Sequence, residues 1–289
     1  QTFSQQTDLV HSVIWSPDGY MLASAGFNQT IWLWNLKEGR LQAILHGHTA
    51  VIYAIAFAPD SHTLLSGSDD GTLRVWDVKN GQCLRIIGGY TASLFDIDWS
   101  PDGTQLASCG ADALVMIWGG VNMASPVVLR AAHRWTVEGV TWSPDGRLLA
   151  SAGHDDSIVL WDMATRVHLQ VPRDTDTIFM SIAWSPDGHS LACGSYMSGV
   201  RVWDMRTRTL RWIGQTFIRK AAWSPDGTRL VGGGEDGYVY MWDGRDGTRL
   251  LHLAGHDSAV MSVVWSPNGR GLASAGGGKE GGEIFVWEA

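Results

Sequence analysis

Short runs that alternate between apolar and polar residues follow one another along the whole chain, with polar turns between them. In one example the run Val137–Trp142 ends on an aromatic residue, residues 143–146 (Ser-Pro-Asp-Gly) follow, and Leu148–Gly153 is again mostly apolar. A second polar turn at residues 154–156 precedes a third run that ends at Trp161. Proline presets φ early in a tight turn, and glycine tolerates a positive φ at its end. The pattern predicts successive short strands, each unable to bury a face alone.

The same pattern occurs seven times. The aromatic residue that ends the first run stands at Trp15, Phe57, Trp99, Trp142, Trp184, Trp223 and Trp265, at intervals of 42, 42, 43, 42, 39 and 42 residues. The tryptophan of the third run stands at Trp34, Trp76, Trp118, Trp161, Trp203, Trp242 and Trp287. A period of roughly 40–45 residues with four short strands is typical of propeller blades. We predict an all-β, seven-bladed β-propeller of four-stranded antiparallel blades, with residues 1–289 as a single domain.

Two dipeptides make the resemblance more specific. Trp-Asp pairs begin at Trp76, Trp161, Trp203 and Trp242, and Gly-His pairs begin at Gly47 and Gly255. With these pairs the chain resembles the WD40-repeat β-propellers over its whole length. The near-uniform repeats, the Trp-Ser-Pro-Asp-Gly turns and the low lysine content are similar to WD40 arrays of bacterial multidomain signalling proteins. In those proteins, which carry STAND-type NTPase or Ser/Thr kinase modules, the array serves as a sensor or an autoinhibitory cap.

The resemblance also implies how the ring closes. The chain stops after the third strand of blade seven, and Gln1, Thr2 and Phe3 align with the ends of fourth strands in other blades. We expect these three residues to complete the last blade and to form a weak seam. Because the chain begins with Gln1 rather than Met, we also expect a piece of a longer protein. The Gly-rich insertion at residues 276–282 lacks the ending of a phosphate-binding loop and is expected to be a flexible hairpin tip.

Composition narrows the range of ligands. The 289-residue chain has a net charge of −8 and no run of basic residues, which argues against nucleic acid. It shows neither a signal peptide nor an apolar run of the ~18 residues that span a bilayer. The three cysteines, Cys83, Cys109 and Cys193, lack metal-type spacing and are expected to be free thiols in a reducing compartment. We therefore expect a cytoplasmic protein without metal, cofactor, membrane or nucleic-acid binding.

Polar residues recur in phase with the tryptophans. The sets are His48, Ser66, Asp70 and Trp76; His133, Ser151, Asp155 and Trp161; and His256, Ser274 and Trp287. Ser, His and Asp also make up a nucleophilic triad, but a catalytic site is normally single and this set is repeated. The WD40 resemblance implies instead an internal hydrogen-bond chain that rigidifies each blade. Other blades match unevenly: they carry Gln6 and Ser24, Tyr90 and Ser108, or Thr175, Cys193 and Met197.

The WD40 resemblance also implies a partner-binding top face with three positions per blade. Two positions flank the start of the first strand, and the third precedes the Asp of the second turn. The predicted partner-binding residues, with Trp135 from an adjoining loop, are Leu9, His11, Phe27, Val51, Tyr53, Asp69, Phe95, Trp135, Glu138, His154, Ile178, Met180, Tyr196, Phe217, Arg219, Glu235 and Met261. The third position of blade seven falls near Lys279 or Glu280.

This set is rich in aromatic residues and Met, as protein-binding patches are. Two structural alternatives stay open. In the first, some of these side chains plug the channel or pack between blades instead of binding a partner. The second concerns Trp135, which is either an extra anchor or a cover for the strand that ends at Trp142.

We interpret the chain as a non-catalytic protein-interaction scaffold, the sensor or regulatory domain of a larger signalling protein. Its partner would be another protein or another domain of the same chain, and the isolated domain would be monomeric. One alternative is a small-ligand or glycan-binding propeller, which needs a repeated polar pocket with an aromatic platform; the predicted face varies between blades. The other is an enzyme at the channel mouth, with His11, Glu138, His154 and Arg219 as the candidate titratable groups.

Overall fold

The computed structural model describes residues 2–6, 8–88, 90–119, 123, 125–130, 132–171, 177–214, 216–278 and 281–288. In the order of the chain, the strands of the first three blades and the N-terminal strand are β1 (Thr2–Gln6), β2 (Val10–Trp15), β3 (Met21–Gly26), β4 (Ile31–Asn35), β5 (Arg40–Leu45), β6 (Ile52–Phe57), β7 (Thr63–Ser68), β8 (Leu73–Asp77), β9 (Cys83–Ile87), β10 (Leu94–Trp99), β11 (Gln105–Gly110), β12 (Val115–Gly119) and β13 (Val127–Leu129).

The remaining strands are β14 (Val137–Trp142), β15 (Leu148–Gly153), β16 (Ile158–Asp162), β17 (His168–Gln170), β18 (Phe179–Trp184), β19 (Ser190–Ser195), β20 (Val200–Asp204), β21 (Thr209–Gly214), β22 (Ile218–Trp223), β23 (Arg229–Gly234), β24 (Tyr238–Asp243), β25 (Arg249–Ala254), β26 (Val260–Trp265), β27 (Gly271–Gly278) and β28 (Gly281–Glu288). Across the described residues, no helix is long and apolar enough to cross a membrane.

The strands form seven four-stranded sheets. Six sheets take their strands in sequence order: β2 to β5, β6 to β9, β10 to β13, β14 to β17, β18 to β21, and β22 to β25. The seventh has the order β1-β28-β27-β26. Neighbouring strands run antiparallel, as β14 with β15 and β15 with β16 do. The fold is thus the predicted all-β, seven-bladed β-propeller, and its last blade is completed by the N-terminal strand.

The seam of the last blade is longer than predicted. Strand β1 contains five residues rather than three, and Gln6 lies opposite Gly282 of β28. The reason is the Gly-rich insertion, which lengthens β27 and β28 so that Gly278 lies opposite Gly281. The insertion forms a hairpin, as expected, but its described residues are paired strand rather than a loop tip. Lys279 and Glu280 lie outside the described residues.

The Ser-Pro-Asp-Gly turns are held by their own side chains. In blade four the Ser143 hydroxyl donates to Asp145 Oδ1 at 2.6 Å, and Ser143 Oγ accepts the Leu148 N–H at 2.9 Å. The Gly146 N–H donates to the Ser143 carbonyl at 2.8 Å, with φ of 70° at Gly146. Glycine adopts that φ without the steric cost of a Cβ. Each turn therefore ends the first strand and starts the second through local bonds alone.

Two compact units are distinguished by their contacts. One consists of Gln1–Leu94, Gly233–Val239 and His252–Ala289, and the other of Phe95–Gly232 and Tyr240–Leu251. That all 289 residues form a single domain stays a prediction.

Within each unit the hydrophobic core lies between consecutive blades. In the first unit Trp76 of β8 packs in one cluster with Ile31 and Leu33 of β4. In the second unit Trp161 of β16 does the same with Ile117 of β12. A large indole that is buried in this way fills the space between two sheets. In blades two and four the third-strand tryptophan therefore packs against the preceding blade.

Candidate functional site

A chain of four polar side chains runs through blade two. The Trp76 indole N–H donates to Ser66 Oγ at 2.8 Å, and Ser66 Oγ lies 2.7 Å from His48 Nε2. His48 Nδ1 lies 2.7 Å from Asp70 Oδ2, which also accepts the Thr49 N–H at 3.1 Å. Because Ser66 Oγ accepts the indole proton, its own hydroxyl proton points to His48 Nε2, and Nδ1–H donates to Asp70. These bonds connect β7 and β8 with the loop before β6.

The charge states in this chain follow from burial and hydrogen bonding. Burial lowers the pKa of His48, although the contact with Asp70 opposes this. Burial by itself raises the pKa of Asp70, but hydrogen bonds from Thr72, His48 and the Thr49 amide outweigh it and bring the pKa below its ordinary value. His48 is therefore a neutral imidazole that donates to the ionised Asp70 carboxylate. This hydrogen bond has a structural role in blade two.

Blade four repeats the arrangement. The Trp161 indole donates to Ser151 Oγ at 3.0 Å, and Ser151 Oγ lies 2.7 Å from His133 Nε2. His133 Nδ1 lies 3.1 Å from Asp155 Oδ1, and Asp155 Oδ2 accepts the Arg134 N–H at 2.8 Å. The His133 and Asp155 side chains are almost fully buried. Two blades thus carry the same four-membered chain.

Blade seven has a shorter version. The Trp287 indole donates to Ser274 Oγ at 2.9 Å, and Ser274 Oγ lies 2.8 Å from His256 Nε2. Among the described residues, the buried His256 Nδ1 has no hydrogen-bond partner. Burial lowers the pKa of His256 to about 4. The edge of the His256 ring meets Phe285 with centroids 4.7 Å apart. A neutral histidine therefore completes this blade without a described carboxylate.

Other blades replace the histidine. In blade one the Ser24 hydroxyl donates to Gln6 Oε1 at 2.9 Å, and the Trp34 indole donates to Ser24 Oγ at 2.9 Å. Gln6 lies in β1 of blade seven, so its side chain connects the last blade to the first. In blade three the bond from the Trp118 indole to Ser108 Oγ (3.0 Å) is present.

Blade five uses other residues in place of the hydrogen-bond chain, and sequence reasoning did not predict them. Thr175 lies outside the described residues, and Met197 is exposed. The buried Arg201 guanidinium instead donates to Thr177 Oγ1, which lies 2.9 Å from Ser198 Oγ. The signal that could have indicated this is an arginine in β20 of a blade that lacks both the histidine and the serine.

The predicted partner-binding positions are connected within a blade by a backbone hydrogen bond. The N–H at the third position donates to the carbonyl at the first position: Phe27 to Leu9 (3.0 Å), Asp69 to Val51 (2.9 Å), His154 to Thr136 (2.9 Å) and Tyr196 to Ile178 (3.2 Å). All the predicted partner-binding residues are exposed or partly exposed. The strand ends therefore hold these side chains at fixed places on the surface of each blade.

The first unit contains Leu9, His11, Phe27, Val51, Tyr53, Asp69, Glu235 and Met261. The His11 and Tyr53 rings meet edge to face with centroids 4.9 Å apart, and His11 Nδ1 lies 3.2 Å from the Tyr53 carbonyl oxygen. The Ser93 hydroxyl donates to Asp69. Phe27 is 40% exposed. In this part of the predicted site, His11, Tyr53 and Asp69 are held by neighbouring groups, and Phe27 presents an exposed ring.

The second unit contains Phe95, Trp135, Glu138, His154, Ile178, Met180, Tyr196, Phe217 and Arg219. Tyr196 and Phe217 stack with centroids 6.4 Å apart and are 47% and 51% exposed. The Arg219 guanidinium carbon lies 5.8 Å from the centre of the Tyr196 ring. Met197, which sequence reasoning did not assign to this surface, is also exposed. We call Tyr196, Met197, Phe217 and Arg219 the aromatic patch.

Blade four, in the same unit, presents an ion pair and an exposed indole. His154 Nε2 lies 3.0 Å from Glu138 Oε1, and this contact with Glu138 raises the pKa of His154. Trp135 is 67% exposed and thus covers little of the strand that ends at Trp142. Phe95 is partly exposed.

The four titratable residues that are candidates for an enzyme site make separate contacts. His11 belongs to the first unit and contacts Tyr53, whereas Arg219 of the second unit lies over Tyr196. Glu138 and His154 bind each other. Within the part of the chain that the structure describes, no group of three or more His, Cys, Asp or Glu side chains could hold a metal ion.

A cleft of about 410 Å³ lies between the Ser-Pro-Asp-Gly turns of blades three and four. Its carboxylates serve the turns themselves: Asp102 accepts the Ser100 hydroxyl at 2.6 Å, and Asp145 accepts the Arg147 N–H at 3.0 Å. The cleft is therefore a consequence of how the turns fold.

One charged cluster was missed by sequence reasoning. Lys220 Nζ of β22 lies 3.6 Å from Asp96 Oδ1 of β10, and Asp98 lies two residues further along β10. The sequence contains a signal for this cluster, which is visible when the seven repeats are aligned. The third residue of the first strand is Ser12, Ala54, Asp96, Gly139, Ser181, Lys220 or Ser262. Only blades three and six place a charge there.

Seven four-stranded blades, each with a tryptophan in its third strand and several with the hydrogen-bond chain above, define a repeat propeller. The family described as "WD domain, G-beta repeat" (WD40) matches residues 1–35, 39–77, 81–119, 125–162, 168–204, 207–243 and 247–288. The chain belongs to the WD40-repeat family. A comparison with curated proteins finds no match. WD40 propellers generally act as protein-interaction scaffolds and are typically non-catalytic.

Proposed function

We propose that this protein is a non-catalytic interaction scaffold that binds a partner protein through the aromatic patch and the predicted residues around it. One observation carries the proposal: Tyr196 and Phe217 stack while about half of each ring faces solvent. Aromatic and arginine side chains dominate binding hot spots because they bury large areas and still offer a polar group. Burial of the exposed rings would contribute roughly 25 cal/mol per Å² of apolar area.

The finer role rests on the sequence. The partner is another protein or another domain of the same chain, and the propeller acts as the regulatory domain of a bacterial signalling protein. The resemblance of its repeats to signalling arrays supports this role. The buried free thiols of Cys109 and Cys193 fit a reducing cytoplasm. A net charge of −8 favours a protein over a nucleic acid as the partner. By itself the domain is monomeric.

A double variant tests the patch. Tyr196→Ala/Phe217→Ala is expected to reduce capture of the partner from extracts of the source cell at least about tenfold, because two hot-spot rings are lost. The matched control is Leu84→Ala/Ile86→Ala, which removes two side chains of similar exposure, 57% and 56%, from strand β9. Capture is quantified by mass spectrometry with wild type and both variants as bait, after thermal unfolding has shown that the three are equally folded.

A protein retained by wild type and by the control, but lost by the patch variant, supports the proposal. Equal capture by all three baits would contradict the patch as the binding site. Loss with the β9 control alone would place the partner on an outer strand instead.

A further inference from the structure

The third residue of a first strand can bridge to the next blade. In blade five Ser181 Oγ of β18 accepts the backbone N–H of Ala221 in β22 at 3.2 Å. In blade three Asp96 takes the same place: its Oδ2 accepts the N–H of Val140 in β14 at 3.1 Å. One bridge uses a neutral hydroxyl and the other a carboxylate. The bridge between blades three and four can therefore gain and lose a proton, whereas the Ser181 bridge cannot.

A second carboxylate reinforces the first. Asp98 lies two residues beyond Asp96, on the same side of β10. Its Oδ2 accepts the Trp142 N–H at 2.8 Å, and its carbonyl oxygen accepts the Trp142 indole N–H at 3.2 Å. Strand β10 is thus hydrogen-bonded to β14 through two acidic side chains, Asp96 and Asp98, which lie two residues apart.

The cation that faces them comes from the matching position of another blade. Lys220 is the third residue of β22, as Asp96 is of β10, and the two charges lie 3.6 Å apart. The two charged exceptions to the repeat therefore pair with each other. The single positive charge of Lys220 partly compensates the negative charges of Asp96 and Asp98.

Of the other titratable groups near the cluster, Glu138 and Cys109 add negative charge or none. Glu138 of β14 binds His154, and the buried Cys109 thiol of β11 has its pKa raised, first by burial and then by Asp96 and Glu138. Burial raises the pKa of Asp96. Burial, with repulsion from Asp96, raises the pKa of Asp98 to about 7, although its hydrogen bond from the Trp142 amide opposes this. Arg219, beside Lys220 in β22, points over Tyr196.

We propose that Asp96, Asp98 and Lys220, which we call the β10 clasp, form a pH-responsive connection between β10, β14 and β22. The clasp is tightest in acid and loosens as the pH rises from about 4 to about 7, above which it does not change further. In the opened state Asp98 is hydrated and titrates near its ordinary pKa of 3.8, whereas in the closed state it titrates near 7. A carboxyl whose pKa is raised by folding contributes stability that is complete below the ordinary value. That stability is lost as the pH rises through the raised value.

Hydrogen exchange at single amides tests the clasp. Between pH 5 and pH 8, after correction for intrinsic exchange rates, protection of the Val140 and Trp142 amides is expected to fall about 10- to 100-fold, since one proton of difference changes the equilibrium up to tenfold per pH unit. The Val13 amide, which donates to the neutral Ser262 hydroxyl at 3.3 Å and lies outside the three clasp strands, is the internal control and is expected to change much less. In Asp98→Asn the fall at Trp142, whose amide then faces a neutral side chain, should disappear.

A direct titration keeps the test independent of that variant. The carboxyl carbon shift of Asp98, followed by NMR, is expected to titrate near pH 7 in wild type and at a higher pH in Lys220→Met, because the variant removes the stabilising cation. Equal pH dependence at Val140, Trp142 and Val13 would overturn the clasp. So would an Asp98 that titrates near pH 4, or a midpoint that Lys220→Met leaves unchanged.

Discussion

Replacement of Phe3 by alanine is expected to lower the free energy of unfolding by about 3 kcal/mol. Phe3 lies in β1, is buried, and has its ring centroid 4.8 Å from that of Trp34 in blade one. It also belongs to the cluster that contains Ile284 of blade seven, so its ring fills the space where the last blade meets the first. Its loss leaves a cavity at the seam. Urea unfolding followed by tryptophan fluorescence measures the effect.

The control for this seam lies in the same strand. Thr2 is exposed, and Thr2→Ala is expected to change the stability by less than about 0.5 kcal/mol. If Phe3→Ala and Thr2→Ala unfold at the same urea concentration, β1 contributes only backbone pairing to blade seven and the packing argument fails.

Replacement of Asp155 by alanine is expected to cost about 2 kcal/mol at pH 7. The variant removes the acceptor of His133 Nδ1, of the Arg134 N–H and of the Ser157 hydroxyl, and leaves buried His133 Nδ1 with the longer contact to Ser157 Oγ at 3.2 Å. Buried donors that lose their best acceptor cost more than a hydrogen bond contributes. Asp112→Ala in blade three is the matched control. Asp112 occupies the same repeat position and accepts the Leu114 N–H at 3.1 Å. We expect it to cost about half as much, measured by denaturant unfolding.

The pH dependence gives this prediction a second test. Burial raises the pKa of Asp155, but hydrogen bonds from His133, Ser157 and the Arg134 amide outweigh it and hold the pKa well below the ordinary 3.8. A carboxyl with a depressed pKa contributes stability above its ordinary value and loses it as the pH falls. The difference between wild type and Asp155→Ala should therefore shrink below about pH 4. A difference that stays constant from pH 7 to pH 3, or no difference at pH 7, would contradict the hydrogen-bond role.

The parts of the fold that sequence reasoning predicted are those with local causes. The turn at residues 143–146 needs only its own serine, proline, aspartate and glycine, so its strands could be placed from sequence. The seven-fold repetition then set the number of blades. The seam length and the strand pairing of the described insertion were predicted incorrectly, because whether a glycine stretch forms strand depends on a partner. Gln6 is that partner for Gly282, and it comes from the other end of the chain.

Sequence reasoning predicted only part of the candidate site. Residues in phase with the repeat, such as His133 and Asp155, could be found because each blade repeats the same spacing. Exceptions to the repeat could not be interpreted in the same way. Arg201 and Thr177 replace the missing histidine in blade five, and Lys220 meets Asp96 from a distant blade. No periodicity indicates which exceptions face each other.

The sequence by itself therefore determined the blade, its number of copies, its turns and the positions of its tryptophans, because these depend on contacts within one repeat or between one repeat and the next. The tertiary structure alone decided which charged side chains pair, how far the N-terminal strand extends, and which aromatic rings stay exposed. Those outcomes depend on distances between residues far apart in the chain. Such distances exist only after the blades have packed against one another.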